Sequence, residues 1–181
     1  MVRVGARQKA ARVTFLLLDV DGVLTDGGIV YDADGRELKT FHVRDGHGIK
    51  MIRRAGIEVG IITGRRSTVV EIRARELGIT LVCQGVSDKV AAWRDILEER
   101  GLAPEETAYV GDDITDVPLM RAVGFAAAVA DAEACVVEAA DYVASRAGGR
   151  GAVREIIDFL LHARGAWESV TAEYLVPGDG Q

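Results

Sequence analysis

The chain has 181 residues and a formal net charge of −6, from 22 Lys and Arg against 28 Asp and Glu. Such an acidic balance argues against nucleic acid as the default partner, and 49% hydrophobic residues argue against a disordered chain. Two cysteines, Cys83 and Cys135, are too few and too scattered for a disulfide framework or a zinc site, which points to a reducing cytoplasm.

Arg3, Arg7, Lys9 and Arg12 precede an apolar run, but the run is too short for a signal-peptide core, so residues 1–12 read as an N-terminal extension. No segment reaches membrane-spanning length. Residues 13–18 read as a buried parallel strand. Asp19 and Asp21 follow it, and side chains two apart on an extended chain point the same way. Like charges held together call for a cation or a shared proton; otherwise the pair is a capped turn. Residues 28–31 and 37–43 flank Asp32-Ala33-Asp34-Gly35, a hairpin signal that would project over the end of the first strand. A helix over 48–55 and a strand over 58–62 come next, closed by Thr63-Gly64-Arg65, a set able to hold a phosphoryl group or simply to cap a helix. A helix over 67–77 ends at Gly78, and a strand over 80–83 leads to a helix over 88–100 that ends at Gly101. Lys89 stands in the first turn of that helix, against the helix dipole.

The strand over 107–110 runs into Gly111-Asp112-Asp113-Ile114-Thr115-Asp116, either half of a hard-cation site or an acidic loop with an N-cap. A helix over 116–122, a strand over 125–128 and a weak strand at Tyr142-Val143 follow. Val153, Ile156, Ile157, Leu160 and Leu161 repeat as a helical stripe within 152–162. Past Arg164 no helical period is visible, and Pro177-Gly178-Asp179-Gly180 reads as frayed. The alternation predicts an α/β fold with a doubly wound, Rossmann-like parallel sheet over 13–164, one domain with a tail over 165–181.

Carboxylate pair, Thr-Gly, Lys and carboxylate cluster stand in that order, each at the carboxyl end of a successive strand. This order resembles the haloacid dehalogenase superfamily of phosphohydrolases, with Asp19, Asp21, Thr63, Lys89, Asp112 and Asp116 matching its four motifs. The resemblance implies Asp19 as nucleophile and Asp21 as general acid and base. It implies Mg²⁺ held by Asp19, Asp112 and the Asp21 backbone carbonyl, with Asp113 and Asp116 behind them. Thr63 and Lys89 would stabilise the phosphoryl oxygens.

About forty residues separate Asp21 from Thr63, and they already contain the hairpin and a helix, so no cap domain fits. Asp19–Gly28, Phe41–Gly46, Ile62–Arg65 and Gly148–Glu155 resemble the capless, tetrameric 3-deoxy-D-manno-octulosonate 8-phosphate phosphatases, which serve lipopolysaccharide precursor synthesis. This closer resemblance implies an anionic sugar acid phosphate as substrate, contacted by Asp21, Arg44, Asp45, Gly46, Lys50, Gly64, Arg65, Arg73 and Lys89. It also implies a homotetramer in which a neighbour's hairpin completes the site, with neither nucleic acid nor membrane as partner. His42 stands where that family often has Asn, and Lys50 where it often has Arg; His42 is a substrate contact or a hairpin surface residue. A nonulosonate 9-phosphate phosphatase on the same scaffold, an open-site macromolecular phosphatase and a non-catalytic regulatory module are the alternatives. Arg65, at a position where the nine-carbon relatives carry an acid, favours the octulosonate reading.

Overall fold

The structure is a computed structural model that describes residues 1–175. Six parallel strands, β1 (Phe15–Leu18), β4 (Glu58–Thr63), β5 (Leu81–Gln84), β6 (Thr107–Gly111), β7 (Phe125–Ala128) and β8 (Tyr142–Val143), form one sheet in the order β5-β4-β1-β6-β7-β8. Two further strands, β2 (Val30–Tyr31) and β3 (Glu37–Leu38), pair antiparallel as the expected hairpin. The chain builds outward from β1 through β4 to β5, then crosses back to β6. The strand order therefore reverses beside β1, where open α/β sheets leave a crevice at the carboxyl ends. In register, Leu18 lies opposite Ile61 on one side and Val110 on the other, so the residue after β1 emerges beside the end of β6.

Strand alternation divides the core into two layers. Leu16, Leu18, Val59, Ile61, Ala108 and Val110 face helices α2 (Val43–Arg54), α3 (Thr68–Leu77) and α7 (Ala152–Ala163). Phe15, Leu17, Ile62 and Tyr109 face α4 (Lys89–Arg100), α5 (Val117–Met120) and α6 (Ala134–Ala139). All five residues of the stripe on α7 are fully buried, and α7 packs along α2. Burying such side chains contributes roughly 1.5–3 kcal/mol each.

Several expectations are corrected. β1 ends at Leu18 and the chain turns at once, with the amides of Val23 and Leu24 donating to the Val20 carbonyl. Asp19 and Asp21 are therefore not neighbours on an extended strand. The second hairpin strand stops at Leu38, because Val43 already opens α2, whose N-cap is His42: its Nδ1 accepts the Arg44 amide at 3.3 Å. The N-terminal residues pack on the body. Helix α1 (Ala6–Ala10) buries Ala6 and Ala10, Val2 bridges to Tyr142, and Lys9 pairs with Asp141 at 2.7 Å. Residues 167–175 form a helix, α8 (Trp167–Leu175), that buries Val170 and Thr171 and ties Glu173 to Arg54; the segment around Pro177 lies outside the described residues. Among the described residues no helix is long and apolar enough to cross a membrane.

Candidate active site

Asp19 follows β1 with its amide donating to the Val110 carbonyl at 3.1 Å. Its Oδ1 accepts the Val20 amide at 2.7 Å and its Oδ2 accepts Lys89 Nζ at 2.6 Å. Lys89, the first residue of α4, is buried and also reaches Asp116 Oδ1 at 2.6 Å and the Tyr109 hydroxyl at 3.0 Å. The unfavourable placement of this cation at a helix N-terminus is thus offset by two carboxylates. Burial opposes its charge, yet Asp19 and Asp116 hold its pKa above the ordinary lysine value.

Asp116 is fully buried and saturated. Besides Lys89, its Oδ1 accepts the Tyr109 hydroxyl at 2.7 Å, and its Oδ2 accepts the amides of Asp112 and Asp113 at 2.9 and 3.2 Å. It orients the lysine and the loop after β6 and has little capacity left for another ligand. Asp112 is the opposite case: its Oδ1 is buried with no hydrogen-bond partner. Gly22, at φ +86°, makes room for it, since a Cβ there would fall 1.9 Å from Asp112 Oδ2. Burial first, and then the charges of Asp116, Asp19 and Asp113, push the Asp112 carboxyl up to about 7. Asp19 is likewise raised, chiefly by burial.

Oxygen atoms of Asp19, Asp112 and Asp116 lie within 4.8 Å of one another, and Lys89 is the cation among them. Three carboxylates against one ammonium, with an orphaned oxygen on Asp112, is a donor set short of positive charge and made of hard oxygens. A divalent ion such as Mg²⁺ fits it, with Asp19 and Asp112 as the available carboxylates.

Asp21 lines the same cleft, of about 490 Å³, as do Gly64, Arg65 and Asp113. Asp113 Oδ1 accepts the Ile114 amide at 2.7 Å. Thr63 is buried at the end of β4, one residue before the turn that forms the cleft wall. Two hairpin residues that sequence reasoning missed, Lys39 and Glu37, join a charge cluster around Asp21 here. Lys39 Nζ hydrogen-bonds Asp21 Oδ1 and lies 3.4 Å from Glu37, while Arg65 bonds Glu37 at 2.9 Å and sits 3.5 Å from Asp21 Oδ2. The available signal was alternation: charged Glu37 and Lys39 stand two apart around apolar, exposed Leu38 at the end of β3. Tyr109 was the third residue missed, a polar group between the apolar Ala108 and Val110 of β6.

The remaining expected substrate contacts do not reach this cleft in the chain described. Asp45 is buried and accepts the Arg154 amide at 2.8 Å, capping the N-terminus of α7 from the side of α2. Gly46 lets Arg73 cross α2, where a Cβ would fall 2.3 Å from Arg73 Nη2. Arg73 in turn lies over the Phe41 ring at 5.7 Å and pairs with Glu76 at 3.0 Å. Arg44 lines a separate cleft with Arg146 and Arg154, and Lys50 lines one of about 590 Å³ beside His47 and Tyr174. Asp45, Gly46 and Arg73 instead surround a small space with Phe41 and Leu77, between α2 and α3.

A family model for haloacid dehalogenase-like hydrolases matches residues 42–124. The 3-deoxy-D-manno-octulosonate 8-phosphate phosphatase KdsC of Escherichia coli K12 is 54% identical over 157 residues, which cover 87% of this chain and 84% of that protein. Two solved structures are also similar. The phosphatase of that name from Yersinia pestis has a TM-score of 0.89 at 47% identity, covering 91% of this chain and 89% of its own. The one from Moraxella catarrhalis, solved with magnesium, phosphate and KDO, has a TM-score of 0.93 at 36% identity, covering 95% and 99%. With that identity spread over most of its length, the chain belongs to the 3-deoxy-D-manno-octulosonate 8-phosphate phosphatases of the haloacid dehalogenase-like hydrolases.

Proposed function

We propose that the protein is a magnesium-dependent phosphatase that hydrolyses 3-deoxy-D-manno-octulosonate 8-phosphate to the free sugar acid and phosphate. The observation that carries this reading is Asp19, buried at a strand end, bonded to Lys89 and within 4.8 Å of a carboxylate oxygen of Asp112, whose Oδ1 has no partner. Asp19, Asp112 and the Asp21 carbonyl would hold Mg²⁺, whose charge when bound offsets the repulsion between a carboxylate and a phosphate dianion.

A carboxylate oxygen of Asp19 attacks phosphorus, forming an aspartyl-phosphate as the bond from phosphorus to the sugar oxygen breaks. Asp21 gives the departing oxygen its proton, and then takes one from the water that attacks phosphorus and frees Asp19. Lys89 and Thr63 bind the phosphoryl oxygens, and Asp116 and Tyr109 fix the lysine for that task. Arg65, half-exposed at the mouth, is suited to a substrate carboxylate, which a guanidinium binds bidentately. No second domain covers this mouth among the described residues. The reading therefore includes a homotetramer in which a second copy closes the site. Exposed Ile29, Val30, Tyr31 and Leu38 on the hairpin support that assembly. It also takes residues 13–164 as the phosphohydrolase unit, with the packed ends as additions, and a cytoplasmic location, in keeping with the free thiols Cys83 and Cys135.

The test of the chemistry is mass spectrometry of acid-quenched turnover. A phosphate adduct on the peptide holding Asp19, absent from Asp19→Ala together with activity, is expected; turnover by Asp19→Ala would refute the mechanism.

A further inference from the structure

The hairpin carries one buried charge. Its apolar side chains Val30, Tyr31 and Leu38 are exposed, yet the side chain of Lys39 is 1% exposed. Burying an ammonium is unfavourable unless it is paired, so this side chain is held by what it touches. What it touches is Asp21 Oδ1, with Glu37 at 3.4 Å on the other side. Arg65 closes a ring of four charges by bonding Glu37 at 2.9 Å and approaching Asp21 Oδ2 at 3.5 Å. Two carboxylates and two cations balance, so the ring needs no further ion to hold together.

The contact differs from an ordinary surface ion pair in where it points. The hairpin sets Lys39 against a carboxylate that itself lines the cleft and sits in a turn rather than on a strand. With Oδ1 taken by Lys39, Oδ2 has only the longer 3.5 Å contact with Arg65. We propose that Lys39 is a positioning residue for the reaction, fixing the Asp21 side chain so that one oxygen is aimed at the leaving group. The inference rests on the acid role given to Asp21 above. It makes the hairpin part of the catalytic apparatus of its own chain, beyond any service as an assembly surface.

The test uses two substrates that differ in their need for an acid. A sugar alkoxide requires a proton as it leaves, whereas p-nitrophenolate departs without one. The parameter is kcat/KM, which covers the steps up to formation of the phosphoenzyme. Lys39→Met is expected to lose roughly tenfold or more on the sugar acid phosphate, the scale of impaired general acid catalysis, and no more than about twofold on p-nitrophenyl phosphate. Lys39→Arg, which keeps the charge, should recover most of the loss. Lys39→Gln, close in length and still a donor, is assayed alongside in case Lys39→Met does not fold, and should show the same imbalance between substrates. Equal losses on both substrates, or no loss on the sugar acid phosphate, would overturn the inference. Asp21→Asn separates the two levels. If it is inactive on the alkyl substrate while the Lys39 variants are normal, the positioning role alone falls. If it is active there, the acid role falls and takes the positioning role with it.

Discussion

At the scale of single residues, the site is organised by unequal division of hydrogen bonds among its carboxylates. Asp116 receives four donors and becomes part of the scaffold, Asp19 receives two and remains reactive, and Asp112 keeps one oxygen free of any partner. A metal ion must displace the proton from a carboxyl held near 7, which fixes the direction of a pH effect. Below about 7 the Asp112 carboxyl is protonated and competes with magnesium; above it the site is ionised. Calorimetric titration should thus show magnesium affinity rising from about pH 6 to about pH 8, by roughly tenfold if one proton is released. An affinity flat across that interval would remove Asp112 from the metal site. The same shift acts on stability: a carboxyl raised above its unfolded value holds more protons in the folded state, so the metal-free protein loses stability as pH rises from about 4 to about 7. Saturating magnesium should abolish that slope in thermal melts. Much of this centre was legible in the sequence, because Asp19, Thr63, Lys89 and Asp112 each follow a recognisable strand. Lys39 was not, since alternation groups Glu37 with Lys39 but does not say that their side turns toward Asp21.

At the scale of elements, the helices show what structural work is done by a run of sequence that resembles substrate machinery. The segment Phe41 to Gly46 carries His42, Arg44 and Asp45, all chemically able to meet an anion. In the fold His42 caps α2, Asp45 caps α7, and Gly46 is the gap through which Arg73 passes. Asp45→Ala should therefore lower stability by about 1–2 kcal/mol through the lost cap, with kcat and KM near wild type in the folded fraction. Denaturant titration beside kinetics would decide the matter, and a raised KM with unchanged stability would restore a substrate role. The main strands and α7 could be read from the sequence because their apolar runs and stripes are strong. Helix α6 buries only Val136 and α8 only Val170 and Thr171, too little to leave a period. The hairpin was found through Asp34-Gly35, where Gly35 adopts φ +77°, but its second strand was read too long because Phe41 and Val43 continue a β-prone pattern past the cap.

At the scale of the whole molecule, the parallel sheet brings the site to the point where strand order reverses, and no second domain covers it among the described residues. An open phosphoryl-transfer site admits water, so closure by another copy of the chain is part of the proposed reading. Four exposed apolar residues on a two-stranded hairpin form a surface suited to that contact. Val30→Asp, placing a charge there, should shift the assembly toward smaller species in sedimentation and reduce activity; a fully active monomer would contradict the shared site. The proposed activity joins the identity of the substrate to a dependence on magnesium. Initial rates of phosphate release from a set of sugar acid phosphates of eight and nine carbons, with magnesium and with a chelator, test it directly. A kcat/KM at least roughly tenfold higher for 3-deoxy-D-manno-octulosonate 8-phosphate is expected, a difference of about 1.4 kcal/mol in transition-state binding, with no turnover in chelator. A preference for a nine-carbon acid, or release unaffected by removing the metal, would contradict it.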